Sequence, residues 1–121
     1  MAFDWREYLA LAKELAGDAS ASYSVEAARR AAISRAYYGA FCFARNVAQA
    51  KEGFIPSGSA DDHRYLRDHF QKHGRLAVAS QLNRLRQWRN NCDYEDRVAG
   101  IEHLVQIAIR SADRVVQELE K

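Results

Sequence analysis

One pattern in the C-terminal third of the chain leaves little freedom in how the whole can fold. Val98, Ile101, Val105, Ala108, Ala112, Val115 and Leu119 recur at alternating spacings of three and four, seven consecutive positions on a heptad seam. That alternation gathers all seven on one stripe of an α-helix, whereas a strand would scatter them over both faces. A helix is therefore expected from about Asp96 to Leu119. Leu104, Ile109 and Val116 widen the stripe beyond a bare coiled-coil seam, so this helix must touch more than one neighbour.

The neighbours can be read off in turn. Asp4 is placed to cap a first helix, with Glu7 reaching back and Phe3 and Tyr8 stapling the turn. Its apolar face is Trp5, Tyr8, Leu9, Ala12, Leu15 and Ala16, and Gly17 ends it. Asp18 to Ser24 reads as a linker, with Ser22 or Ser24 as the next N-cap. A second helix is expected over Val25 to Lys51, facing inward with Ile33, Tyr37 and Phe41 and with Ala40, Ala44 and Ala48. Gly39 in its middle costs about 1 kcal/mol against Ala, which implies a close backbone approach. Gly53, Pro56 and Gly58 mark a loop from Glu52 to Ala60. A short helix, His63 to Lys72, turns Leu66 and Phe70 inward, and a fourth runs from Arg75 or Leu76 to about Asn91. The expected fold is all-α: one domain over residues 1–121, an up-and-down bundle of four long helices plus one short helix.

Composition bounds the function classes. No apolar run approaches the ~20 residues that span a bilayer. The N-terminal MAFDWREYLALAKELA, acidic and helically periodic, does not read as a signal peptide, so a cytoplasmic location is expected. Cys42 and Cys92 stand apart with no CxxC and no His at zinc-ligand spacing, and read as buried thiols. His63, His69 and His73 lack a carboxylate at metal-site spacing and read as surface histidines. No phosphate-binding or dinucleotide glycine loop, HExxH or GxSxG occurs, and neither cofactor nor metal is expected. Charge is unevenly spread: residues 29–89 hold twelve Lys/Arg against four Asp/Glu, while both flanks are acidic. A basic middle is the footprint that an anionic partner uses.

The densest polar stretch is Leu85 to Tyr94, LRQWRNNCDY. Val78, Leu82 and Leu85 form an apolar stripe, and Arg89 falls on its continuation. A guanidinium there needs an acceptor, because an unpaired charge out of water costs several kcal/mol or more. Asn90, Asn91, Asp93 and Tyr94 follow directly. Arg84 and Arg86 point off the stripe, toward solvent or a ligand. On helix 2 the run Ser34 to Phe41, SRAYYGAF, adds Arg35 and the Tyr37/Tyr38 pair.

Taken together, S-R-x-Y-Y-x-x-F on helix 2, an isolated His63 before helix 3 and R-x-x-x-D-Y at the end of helix 4 resemble the HEPN superfamily. The resemblance covers most of the chain. It implies a homodimeric helical bundle of the kind found in prokaryotic toxin–antitoxin and defence systems, often beside a nucleotidyltransferase or antitoxin partner. Many such proteins are metal-independent ribonucleases, and others bind nucleotides or RNA without cleaving. The ribonuclease motif is Arg followed four to six residues later by His; here Tyr94, Glu95 and Asp96 occupy those positions. A phenol is a poor base at neutral pH, and Asp93 lies beside a guanidinium, which disfavours a base role. Three readings follow. The first is a binding module that holds RNA, a nucleotide or a partner protein through Ser34, Arg35, Tyr37, Tyr38, Arg86 and Asn90. The second is an atypical ribonuclease toxin using Arg89 with Asp93, Tyr94 or His63. The third is a structural dimerising protein in which Arg89, Asp93 and Ser34 or Tyr37 lock helix 4 to helix 2.

Overall fold

The computed structural model describes residues 3–17 and 24–121, and everything below refers to those residues. The chain is an all-helical bundle: α1 (Arg6–Gly17), α2 (Val25–Lys51), α3 (Asp62–Lys72), α4 (Leu76–Tyr94) and α5 (Ile101–Glu120). No strand occurs among the described residues, and no helix is long and apolar enough to cross a membrane. The lengths are 12, 27, 11, 19 and 20 residues, which places α1 beside α3 rather than with the long helices.

The 27-residue α2 is the axis of the bundle and packs on every other helix. It can do so because small and large apolar residues alternate around it. Ala32, Ile33, Ala36, Ala40, Ala44 and Ala48 are wholly buried, and Tyr37 almost so, so neighbouring helices approach closely on several sides. Gly39 is the tightest of these approaches. A Cβ there would lie 3.1 Å from the Trp5 carbonyl oxygen and 3.2 Å from the Leu9 backbone nitrogen. The partner of the glycine is thus α1, whose backbone cannot retreat as a flexible side chain would.

Helix ends follow local chemistry. Ser24 caps α2 by accepting from the Ala27 N–H at 3.0 Å, while Ser22 and most of the preceding linker lie outside the described residues. The Phe3 and Tyr8 rings meet edge to face at 5.4 Å, the staple expected at the start of α1. Asp4 there accepts from the Arg6 backbone and guanidinium. On α5, Ile101, Val105, Ala108, Ala112, Val115 and Leu119 are all buried as the seam requires. Val98 is not on the helix: Gly100, in the left-handed conformation at φ 61°, turns the chain so that α5 starts at Ile101. Val98 still packs on the core from the preceding turn.

α4 also departs from its expected bounds, running three residues beyond Asn91 to Tyr94. Arg30, from α2, stabilises the extension. Its guanidinium donates to the carbonyls of Cys92 at 2.8 Å, Glu95 at 2.7 Å and Asp96 at 3.0 Å, satisfying groups that a helix C-terminus leaves open. This clamp fixes the end of α4 against α2 and keeps Arg89 and Asp93 one helical turn apart.

Candidate functional site

The site grows from the entry into α3. Asp62, the first residue of that helix, accepts from the Ser57 N–H at 2.8 Å, the Ser57 hydroxyl at 2.6 Å and the Gly58 N–H at 2.9 Å. These bonds, the Ser57 hydroxyl foremost, hold its carboxyl below the usual carboxylate range. They also pin the residue that follows, His63, over α2. The imidazole stacks on Phe41 with ring centres 4.2 Å apart, and its Nδ1 is hydrogen-bonded to the Tyr37 hydroxyl. Tyr37 is 1% exposed. Burial raises its hydroxyl above the ordinary phenol value, so it stays protonated.

Three guanidiniums surround this pair. Arg67, one turn along α3, donates to the His63 carbonyl at 3.1 Å. Arg86 and Arg89 come from α4, and Arg89 lies over the Tyr38 ring at 5.1 Å and the Tyr37 ring at 5.8 Å. Burial, then the charges of Arg86, Arg89 and Arg67, push the His63 imidazole down to about 4. It is neutral at physiological pH. Arg67 itself is lowered by burial and then by Arg86, as expected where like charges share a half-buried space.

Asp62 acts on His63 and Asp68 on Arg67 through their charge, but direct ion pairing is loose. Asp93 approaches Arg89 no closer than 3.7 Å, a loose i,i+4 pair. The Arg89 Nε is buried and has no hydrogen-bond partner among the described residues. Buried guanidinium donors normally find acceptors, and this one has none among the described residues. Arrays of this kind bind phosphate, whose oxygens match the guanidinium fork.

The residues singled out from sequence divide on this geometry. His63, Tyr37, Tyr38, Arg86 and Arg89 come together, with Asp93 at the edge. Tyr37 is too buried to stack on a ligand and acts through its hydroxyl. Ser34 is buried and near Arg35, whose guanidinium lies 3.3 Å from the Ser34 hydroxyl, over the Tyr8 ring of α1 at 4.9 Å and over the Tyr38 ring at 5.4 Å, so that Tyr38 lies between Arg35 and Arg89. Tyr94 is 77% exposed and Asn90 half-buried; neither makes a side-chain hydrogen bond among the described residues. No hydrogen bond joins Arg89 to Ser34 or Tyr37 among the described residues, although Arg89 lies over the Tyr37 ring; the hydrogen bonds from α2 to the end of α4 come from Arg30.

Two features were not anticipated. Arg67 stands four residues after His63, the spacing that puts two side chains on one face, and that signal was available. His69 is not a surface histidine: its side chain is 10% exposed, and Nε2 lies 3.0 Å from Glu52, which also binds Arg75 at 2.9 Å. No sequence spacing links Glu52 to His69 across a loop. Open depressions of roughly 200 to 430 Å³ run along the α4–α5 seam beside Gln81, Trp88 and Arg114. Neither Arg86 nor Arg89 lines them, and the one beside Trp88 is itself lined by three arginines, Arg84, Arg110 and Arg114. Among the described residues no three His, Cys, Asp or Glu side chains gather as a metal site would need. Comparison of the chain with protein-family models, curated proteins and solved structures finds no match.

Proposed function

We propose that this chain is a HEPN-like module that binds RNA or a nucleotide by its phosphate, at the place where Arg67, Arg86 and Arg89 surround His63. One observation carries the reading: Arg67 bonds to the His63 carbonyl, Arg89 lies over the Tyr37 and Tyr38 rings, the charge of Arg86 also depresses His63, and the one ion pair these arginines make among the described residues, with Asp93, is as long as 3.7 Å. A protein that needed these arginines for folding alone would have paired them, as it pairs Arg30 and Arg75. Tyr38, half-buried beneath Arg89, supplies an aromatic edge beside the phosphate position. The all-helical fold, with α1 and α3 short and α2, α4 and α5 long, supports a bundle. The family resemblance adds a cytoplasmic homodimer with a nucleotidyltransferase or antitoxin partner.

The test is binding of short RNA and of nucleotides across a salt series. Affinity should fall linearly in log–log form, with a slope of about −0.7 per neutralised phosphate on single strands. Arg89→Met should weaken binding about tenfold or more, one charge-assisted contact being worth roughly 1.5–3 kcal/mol. Absence of binding at low salt would falsify the reading.

A second reading, a metal-independent ribonuclease, is favoured by the placement of His63. An imidazole neutral at pH 7 can accept a proton from a 2′-hydroxyl, and the neighbouring guanidiniums can stabilise charge on the phosphate. RNA cleavage in the presence of a chelator, lost in His63→Ala, is the result expected of an enzyme. No cleavage, and no growth arrest on expression, would reject it.

A further inference from the structure

We propose that the furrow between α4 and α5 is a separate nucleic-acid surface, which seats a short tract of single-stranded RNA with its phosphates on Arg84, Arg110 and Arg114 and a base on Trp88. It is independent of the His63 site, since Arg67, Arg86 and Arg89 do not line the furrow.

Shape is the first argument. The three depressions on this seam are one furrow: the first and second share Gln81 and Arg114, and the second and third share Trp88. Their lining runs from Ala77 to Asn91 of α4, about 20 Å of helix at ~1.5 Å per residue. An extended ligand fits such a form better than a compact one.

Charge is the second. The middle depression is lined by Arg84, Arg110 and Arg114 and by no carboxylate. Among the described residues none of the three makes an ion pair. The nearby carboxylates of α5 are engaged elsewhere, Asp113 with Lys13 at 3.0 Å and Glu118, which borders one end of the furrow, with Lys121 at 3.1 Å. At the other end Glu95 lines the furrow together with Arg97, so the surplus of cations lies in the middle. Arg110 and Arg114 stand four residues apart on one helix, a spacing at which like charges repel. An anion seated between them relieves that repulsion.

The kind of anion is the third. An acidic amphipathic helix would need a floor for an apolar stripe about 100° wide. That floor is missing: Val78 and Val115 are buried, and the apolar surface of the middle depression belongs to two separate side chains, Ile107 and the half-buried Trp88. Cations along a furrow with an aromatic ring among them are the combination that holds single strands, by phosphate contact and base stacking. Trp88 and Arg84 are four apart on α4, which puts the ring and a cation on one face.

The experiment uses the full chain and a short fluorescent oligouridine, with affinity read by anisotropy across a salt series. Arg110→Gln/Arg114→Gln should weaken binding about tenfold or more and flatten the log–log salt slope by roughly 1.4, two phosphate contacts being lost. Both side chains are exposed, so the circular dichroism spectrum should not change. Trp88→Leu should weaken binding about tenfold, and Trp88→Phe should retain most of the affinity because it keeps an aromatic face. Equal binding by the Leu and Phe variants overturns the stacked base. Binding that falls in Arg89→Met but not in Arg110→Gln/Arg114→Gln overturns the furrow and leaves the His63 reading standing. A fall in the double variant, with or without one in Arg89→Met, supports the furrow. Displacement of the oligouridine by poly-glutamate as readily as by unlabelled oligouridine assigns the surface to an acidic protein and overturns the proposal. No binding at low salt overturns both sites.

Discussion

His63 and His69 lie six residues apart on α3, both packed among aromatic rings, and their surroundings differ in one respect. His69 meets a carboxylate: Glu52 reaches it from the end of α2 and holds Arg75 with its other oxygen. His63 meets arginines and a phenol. Burial would raise the Glu52 carboxyl, but the hydrogen bond to His69 and the charge and hydrogen bond of Arg75 bring it below the ordinary value. The first cluster is internally balanced and joins α2, α3 and the start of α4. In the second, three guanidiniums make one loose ion pair, at 3.7 Å with Asp93, among the described residues, and Asp62 and Asp68 act on it only through their charge. Balance is what a structural cluster needs, and imbalance is where a ligand is expected to complete the set.

Substitution at the balanced cluster has the largest expected effect on stability. Glu52→Gln leaves Arg75 without its counter-charge and should cost about 2 kcal/mol, below the roughly 3–5 kcal/mol of a broken buried pair because Arg75 is partly exposed. Arg89→Met, which keeps the packing on Tyr37 and Tyr38 but removes an unsatisfied charge, should change stability by less than about 1 kcal/mol. Urea denaturation of the two variants compares them directly; a larger loss from Arg89→Met than from Glu52→Gln would reverse the assignment of roles.

The pH dependence comes next in size. His63 is depressed from 6.5 to about 4 in the folded protein, so the unfolded chain takes up this proton first as pH falls. The stability due to a neutral His63 is fully present above about 6.5 and is lost as pH falls from there through about 4. On the order of 1–2 kcal/mol should disappear over that window once solvent screening is allowed for. Melting curves at pH 7, 6, 5 and 4 measure it, and His63→Gln should flatten the profile between pH 6.5 and 4. An unchanged profile in that variant would remove His63 from the account.

Smallest is Tyr37→Phe, which deletes the hydroxyl bonded to His63 and leaves the ring in the core. It should cost about 1 kcal/mol and shift the His63 ring resonances in NMR. Loss of stability without any change at His63 would show that the hydroxyl serves some other partner.

Much of the fold was legible because helices advertise themselves locally. The bounds of α2, the buried seam of α5 and the close approach at Gly39 all followed from spacing and residue size. The end of α4 did not, because it depends on Arg30, sixty-two residues distant in sequence from Cys92. Even there a trace existed: Arg30 precedes Ser34, Tyr37 and Phe41 at spacings of four, three and four, on the same face of α2. It is a cation on an apolar stripe, like Arg89. The two have opposite fates, since the guanidinium of Arg30 is satisfied by helix carbonyls and the Nε of Arg89 by nothing among the described residues.

Sequence by itself therefore determined the helices, their buried faces and the concentration of basic and aromatic residues in the middle of the chain. It did so because helical periodicity and glycine placement are short-range properties. Which arginines are answered by an acceptor and which are left in surplus was decided by tertiary structure alone. Pairing of charges depends on distances between residues far apart in sequence, and packing of α3 and α4 on α2 is what brings His63, Arg67, Arg86 and Arg89 together while giving His69 its carboxylate.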